Sequence, residues 1–267
     1  ANGVGMAVAE RSLRERFGAE ACDHHIFAIC SDGDLQEGLS HEAASLAGHL
    51  GLSRLVYVYD DNHISIDGPT ELSFTEDSRR RFEAYGWHVL DIGEAAEDLD
   101  AIEQALRDAK AEDARPSLII LRSHIGYPSP RWQDTPEAHG APLGADEVAR
   151  TKEILGLPSE ETFWVPEEVR AFYREAGLRG AADRRAADAR LATWRHAHPE
   201  LSEDFDACLA LRGRTGWAAK LPSWEAGGSV ATRAACADVL GAVADVVPAL
   251  VGGGADLTGN TGTLLEG

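Results

Sequence analysis

Two hard oxygen donors, Asp32 and Asn62, stand thirty positions apart, each just beyond a short apolar run, at 26–30 and 55–59. Runs of this length, bounded by polar turn residues, read as buried strands. A carboxylate and an amide oxygen at two strand ends suit Mg2+, which takes one or two protein ligands together with phosphate oxygens. The backbone carbonyl of Ile64, two residues beyond Asn62, supplies a third donor if the loop curls around the ion. Gly33 has no Cβ and lets a diphosphate approach the backbone closely. Asp, Asn and Gly are also what ordinary turns after strands use, so spacing alone leaves both readings open.

The elements around these residues follow from hydrophobic periodicity. Apolar residues at helical spacing predict helices over 4–17, 38–52 and 99–109, and Thr75 with acidic residues after it predicts a helix over 75–85 capped at Thr75. Further strands are expected over 87–90 and 117–121, and the stretch DDNHISIDG, ending on Gly68, reads as a polar loop. Four strands separated by helices predict an α/β fold: a parallel sheet with right-handed crossovers, flanked by helices, with ligand sites beyond the carboxyl ends of the strands. Residues 145–212 are alanine-rich and charged and read as helices without a strand. The glycine-rich stretch 213–228 marks a boundary; a helix over 230–246, an apolar run at 249–251 and GGGADLTGNTG then read as the beginning of a second α/β domain. The expected division is 1–144, 145–215 and 216–267.

A chain of 267 residues that is 44% hydrophobic can bury a core, and 45 acidic against 25 basic residues give a formal charge of −20. That balance repels nucleic acid and anionic membrane surfaces. It repels a diphosphate too, unless a cation intervenes. Cys22, Cys30, Cys208 and Cys236 are too scattered for a zinc site or a disulfide framework, so reduced thiols and a cytoplasmic setting are expected. No run of eighteen apolar residues occurs.

The stretch SDGDLQEGLSHEAASLAGHLGLSRLVYVYDDNHISIDG, followed in order by RRFEAYGWHVL, IGYPSP and HGAPLGADEV, resembles the transketolase family along effectively the whole chain. The resemblance implies a thiamine-diphosphate-binding fold. By it, Asp32, Asn62 and the Ile64 carbonyl hold Mg2+, for which Ca2+ or Mn2+ can substitute, and Gly33 lies against the cofactor's diphosphate. His139, in AHGAPL, matches a family histidine that touches the diphosphate near the substrate, where an imidazole can donate to a phosphate oxygen or move a proton. Ile66 and Ile125 match positions packed on the cofactor rings, and Glu37 an acid at the dimer interface. Arg233, in ATR, matches an arginine that holds the sugar phosphate, and Asp256, in GADL, a second-domain acid near the cofactor.

Two departures stand out: Ser31 replaces the glycine that opens the family's thiamine motif, and the serine used beside the arginine is replaced around Asn260. His124 opens the loop beyond the fourth strand and is a further histidine of interest. The chain is expected to start after the family's first elements and to end before the glutamate that activates the aminopyrimidine, so a homodimer or a C-terminal partner chain is expected to complete the site. The function implied is two-carbon ketol transfer between a ketose donor and an aldose acceptor, on sugars or sugar phosphates of the pentose phosphate pathway. The alternatives are a non-catalytic cofactor-binding module or a related thiamine enzyme, such as dihydroxyacetone synthase or a 2-oxo acid dehydrogenase component.

Overall fold

The computed structural model describes residues 1–254 and 256–264. They form two compact units, 1–181 and 182–267. The first unit contains α1 (Asn2–Phe17), β1 (Ile26–Ser31), α2 (Asp32–Gln36), α3 (Gly38–Leu50), β2 (Leu55–Asp61), a small antiparallel ribbon of β3 (Ile64–Ser65) and β4 (Gly68–Pro69), α4 (Ser78–Ala84), β5 (His88–Asp91), α5 (Leu99–Ala111), β6 (Ser117–Arg122) and α6 (Ala145–Ile154). The boundary between the units falls inside α7 (Glu167–Ala197). The second unit continues with α8 (Pro199–Leu209), α9 (Thr232–Val243) and the short α10 (Thr258–Thr261).

The four long strands make one parallel sheet in the order β1-β2-β6-β5, as the alternation of strands and helices predicts. Strand periodicity sorts its side chains onto two faces. Leu55, Tyr59, Leu118 and Ile120 join Ala44 and Ala47 of α3, Phe82 of α4 and Trp87 in one core; Val56 and Ile119 pack with Ala105 and Ala109 of α5 in another. Covering both faces explains why the strands read as continuous apolar runs.

β1 departs from that expectation. It is one of the two edge strands of the described sheet, and while Ile26 and Cys30 are buried, Phe27 is 52% and Ile29 is 78% exposed. The cluster formed by α5 covers β2 and β6 on that face and does not extend over β1 among the described residues.

Three further expectations are corrected. α4 begins at Ser78, and its cap is Asp77, whose carboxylate accepts the Arg80 N–H at 3.0 Å, so Thr75 lies outside the helix. The loop ending at Gly68 carries the β3–β4 ribbon, in which Ile64 faces Pro69. The run 249–251 is not a strand. Ladder hydrogen bonds need a neighbour, and the second unit holds no strand among its described residues.

Candidate functional site

The sheet delivers its polar residues where parallel strands end. Cys30 faces the core from β1, so Asp32, two residues on, lies on the same side; in the register Tyr59 stands opposite Cys30 on one flank and Ile120 on the other. The Asp32 carboxylate is 2% exposed. Its Oδ1 accepts the Tyr59 hydroxyl, and its Oδ2 accepts the His63 backbone N–H at 3.1 Å. The second contact draws the loop after β2 onto the residue after β1, which brings Asn62, 7% exposed, beside Asp32.

The Asn62 amide is oriented by two bonds: Nδ2 donates to Asp60 at 3.3 Å, and Oδ1 accepts the Ile64 N–H at 2.9 Å. That second bond is an Asx turn, and it curls the chain so that Ile64 folds back over Asn62. His63, between them, takes a left-handed φ of 63°. Ser123 donates to the Asp60 carboxylate, and the Arg122 guanidinium donates to the Asp61 carbonyl at 2.9 Å, fixing the end of β6 to the same loop.

The electrostatics are those of a site short of positive charge. Burial, and then the Asp61 charge, push the Asp32 pKa up against the opposing hydrogen bonds from Tyr59 and the His63 amide. Burial and the two carboxylates push the Tyr59 phenol far above its ordinary value, so it stays a donor. A cleft of about 400 Å³ opens beside Asp32, Tyr59, Asp61 and His63, with Glu76 and Asp91 also on its walls.

Among the described residues no three His, Cys, Asp or Glu side chains converge on one point. A cation here would use a mixed oxygen set: the Asp32 carboxylate, the Asn62 amide oxygen, a backbone carbonyl and the oxygens of a diphosphate. Each of these oxygens has two lone pairs, so the bonds just described leave one free. Such a set fits Mg2+, which normally completes its octahedron with phosphate oxygens.

The loop beyond β6 reaches the same place. Pro136–His139 is a 3-10 turn that lies against β3, so His139, exposed, comes to the strand that carries Ile64. Gly126 has φ 71°, and a Cβ there would stand 3.0 Å from the Ala138 Cβ, which seats half-buried Ile125 beside the turn. His124 faces Asp134 at 2.9 Å. A buried pair holds this loop: the Ser129 hydroxyl donates to Glu147 at 2.6 Å, the Arg131 N–H donates to the same oxygen at 2.8 Å, and these bonds hold the Glu147 carboxyl below its ordinary range.

Ile66 and Glu37 have no hydrogen bond to this cluster among the described residues. Ile66, 73% exposed, sits at the tip of the β3–β4 ribbon. Glu37, exposed between α2 and α3, lines a separate cleft of about 590 Å³ walled by Phe27, Ile29 and Leu39. Arg233 on α9 and Asp256 before α10 belong to the second unit, and both are exposed.

Ser31 needs no glycine-only conformation, with φ −113° and ψ 177°. Its N–H and hydroxyl both donate to Asp34, at 2.9 and 3.2 Å, so the replacement caps α2. At Gly33 an added Cβ would meet nothing nearer than Ser31 Oγ at 4.0 Å. Gly33→Ala is therefore expected to leave the melting temperature of the ligand-free protein the same or higher and to weaken diphosphate binding, as calorimetry would read; equal affinity would mean that no ligand lies against this backbone.

Sequence reasoning missed Tyr59, Asp61 and His63 as parts of the cluster, and the Ser129–Glu147 clasp. Alternation along LVYVYDD does place 57, 59 and 61 on one face, a signal that was available. The clasp joins residues 18 positions apart and has no periodic signature.

An open parallel sheet with polar loops beyond its carboxyl ends defines an α/β domain of the kind that binds ligands at that edge. The family model for transketolase, thiamine diphosphate binding domain, matches residues 1–213, and the chain belongs to that family. It is similar to transketolases from Halalkalibacterium halodurans, 47% identical over 99% of this chain and 40% of that protein, and from Geobacillus stearothermophilus, 45% identical over 99% and 40%. Among solved structures, a Pichia stipitis transketolase in complex with sedoheptulose 7-phosphate matches with TM-score 0.91 and 38% identity, over 100% of this chain and 40% of that one. The chain thus spans about 40% of the length of the relatives it matches.

Proposed function

We propose that this chain supplies the cation-diphosphate half of a thiamine diphosphate site in a transketolase that moves a two-carbon ketol unit from a ketose donor to an aldose acceptor. The observation that supports the reading is the closure of the β2 loop onto Asp32, with the His63 N–H on its carboxylate and the Ile64 N–H on the Asn62 amide oxygen, in a chain of this family. Asp32, Asn62 and the Ile64 carbonyl hold Mg2+, with Ca2+ or Mn2+ able to replace it, and Gly33 lies against the diphosphate. The cofactor, when bound, supplies the carbon chemistry, and the protein supplies binding and orientation.

His139 donates to a diphosphate oxygen or moves a proton at the substrate, and Ile66 and Ile125 pack on the cofactor's rings. Glu37 faces a second subunit of a homodimer or a C-terminal partner chain. Arg233 binds the phosphate of a sugar phosphate, and Asp256 serves the cofactor from the segment 216–267, which begins the pyrimidine-binding domain after a diphosphate domain over 1–144 and a helical connector over 145–215. No helix among the described residues is long and apolar enough to cross a membrane, in keeping with a cytoplasmic enzyme.

The test uses the protein in its complete form. Thiamine diphosphate is expected to bind by calorimetry only with Mg2+ present, and His139→Ala to lower ketol transfer by roughly 100-fold or more, the range for a positioned acid or base, with unchanged circular dichroism. Cofactor binding without ketol transfer would leave a non-catalytic module, and full activity in His139→Ala would make that residue structural.

A further inference from the structure

Tyr59 is 2% exposed, and its hydroxyl meets two carboxylates at once: it donates to Asp32 Oδ1 and stands 3.0 Å from Asp61 Oδ1. Asp61 Oδ1 in turn lies 3.1 Å from His63 Nε2. A run of close polar contacts, His63–Asp61–Tyr59–Asp32, therefore ends on the carboxylate proposed as a cation ligand. The sheet leaves the phenol little freedom, because Tyr59 is paired on both sides, to Cys30 and to Ile120.

A phenol, neutral at its ordinary pKa, is a poor ligand for a hard dication. What it does is hold the Asp32 carboxylate. With Oδ1 tied to the phenol and Oδ2 tied to the His63 N–H, the carboxylate plane is fixed at both ends, and the remaining lone pairs point in set directions. Resting on the half-site reading above, we propose that Tyr59 is a positioning residue, whose hydroxyl presets Asp32 for a small cation that demands octahedral geometry. Partners that hold a metal's ligands in this way typically contribute 10–100-fold to affinity.

The consequence distinguishes one cation from another. Mg2+ tolerates little deviation from octahedral geometry, whereas Ca2+ accepts six to eight oxygens in a flexible shell. Loosening Asp32 should therefore penalise Mg2+ more. Tyr59→Phe keeps the ring and removes only the hydroxyl. In the complete protein with thiamine diphosphate, calorimetric titration with Mg2+ and separately with Ca2+ is expected to show Mg2+ affinity falling roughly 10–100-fold. The Ca2+ affinity should fall much less, so the Mg2+/Ca2+ ratio moves by about fivefold or more; the ligand-free protein, short of one buried hydrogen bond, melts somewhat lower.

Unchanged affinities in Tyr59→Phe, with wild-type uptake intact, would overturn the role of Tyr59 and leave the half-site standing. Equal losses for both cations would also overturn it, because Tyr59 would then act through the stability of the fold and not through the geometry of Asp32. Absence of cation-dependent cofactor uptake in the wild type would overturn the half-site, and the role of Tyr59 with it.

Discussion

Asp32→Asn is expected to abolish Mg2+-dependent binding of thiamine diphosphate while raising the melting temperature of the metal-free protein. The two effects share a cause. Burial and the neighbouring Asp61 charge raise the Asp32 pKa above its ordinary 3.8. A carboxyl whose folded pKa is raised contributes fully to stability below the unfolded pKa, and the contribution is lost as pH rises through the folded value. At neutral pH the metal-free fold thus carries the charge at a cost that the amide removes, while the amide oxygen can still accept the His63 N–H.

A bound cation reverses the order. A ligand at one hundred times its dissociation constant stabilises the fold by about 2.7 kcal/mol, which is roughly 5–10 °C in melting temperature for a domain of this size. The measurement is a pair of thermal melts, with and without Mg2+ and thiamine diphosphate, on wild type and variant. Wild type should melt lower without ligands and higher with them. Equal ligand-induced rises in both proteins would remove Asp32 from the site.

The places of Asp32 and Asn62 at two strand ends were readable because each just follows a short apolar run bounded by turn residues. The parallel sheet was readable because strands buried on both faces alternate with helical periodicity. What the sequence withheld depends on register. Nothing in LVYVYDD says that Tyr59 sits opposite Cys30, and without that pairing its hydroxyl cannot be assigned to Asp32. The exposure of Phe27 and Ile29 was hidden likewise, since an apolar run does not reveal that its strand is at the edge. The β3–β4 ribbon pairs only two residues on each strand, too short for any alternation to register. His139 was singled out by motif alone; the turn that carries it meets β3, and Gly126 lets the loop double back on Ala138, an approach between residues with no common period.

Gly48→Ala should produce the largest loss of stability, with a sign opposite to helix propensity. Gly48 lies inside α3, where alanine ordinarily stabilises by up to about 1 kcal/mol. Here a Cβ would stand 1.8 Å from the Tyr85 carbonyl oxygen and 2.9 Å from its carbon. Both are backbone atoms, so no side chain can rotate away, and α3 must part from the turn between α4 and β5. That turn is held close by Trp87, 3% exposed, whose Nε1 donates to the Ala44 carbonyl of α3 at 2.8 Å. Overpacking of a rigid contact costs about 1–3 kcal/mol and sometimes more, and the loss of the buried tryptophan bond adds about 1 kcal/mol. The clash outweighs the propensity gain, leaving a net loss of about 1–4 kcal/mol, and Gly48→Ala is expected to melt about 2–16 °C lower, at roughly 2–4 °C per kcal/mol. Gly5→Ala is the matched control: it is also inside a helix, with no atom within 4 Å of the added Cβ, and should raise stability by up to about 1 kcal/mol. Because α3 follows Asp32 by only the short α2, the strain in Gly48→Ala should also weaken cation uptake, whereas Gly5→Ala leaves it unchanged. Denaturant melts read by Trp87 fluorescence, run beside Mg2+ titrations, test both; a Gly48→Ala protein as stable as Gly5→Ala would mean that the close approach of α3 to Tyr85 is not how this domain packs.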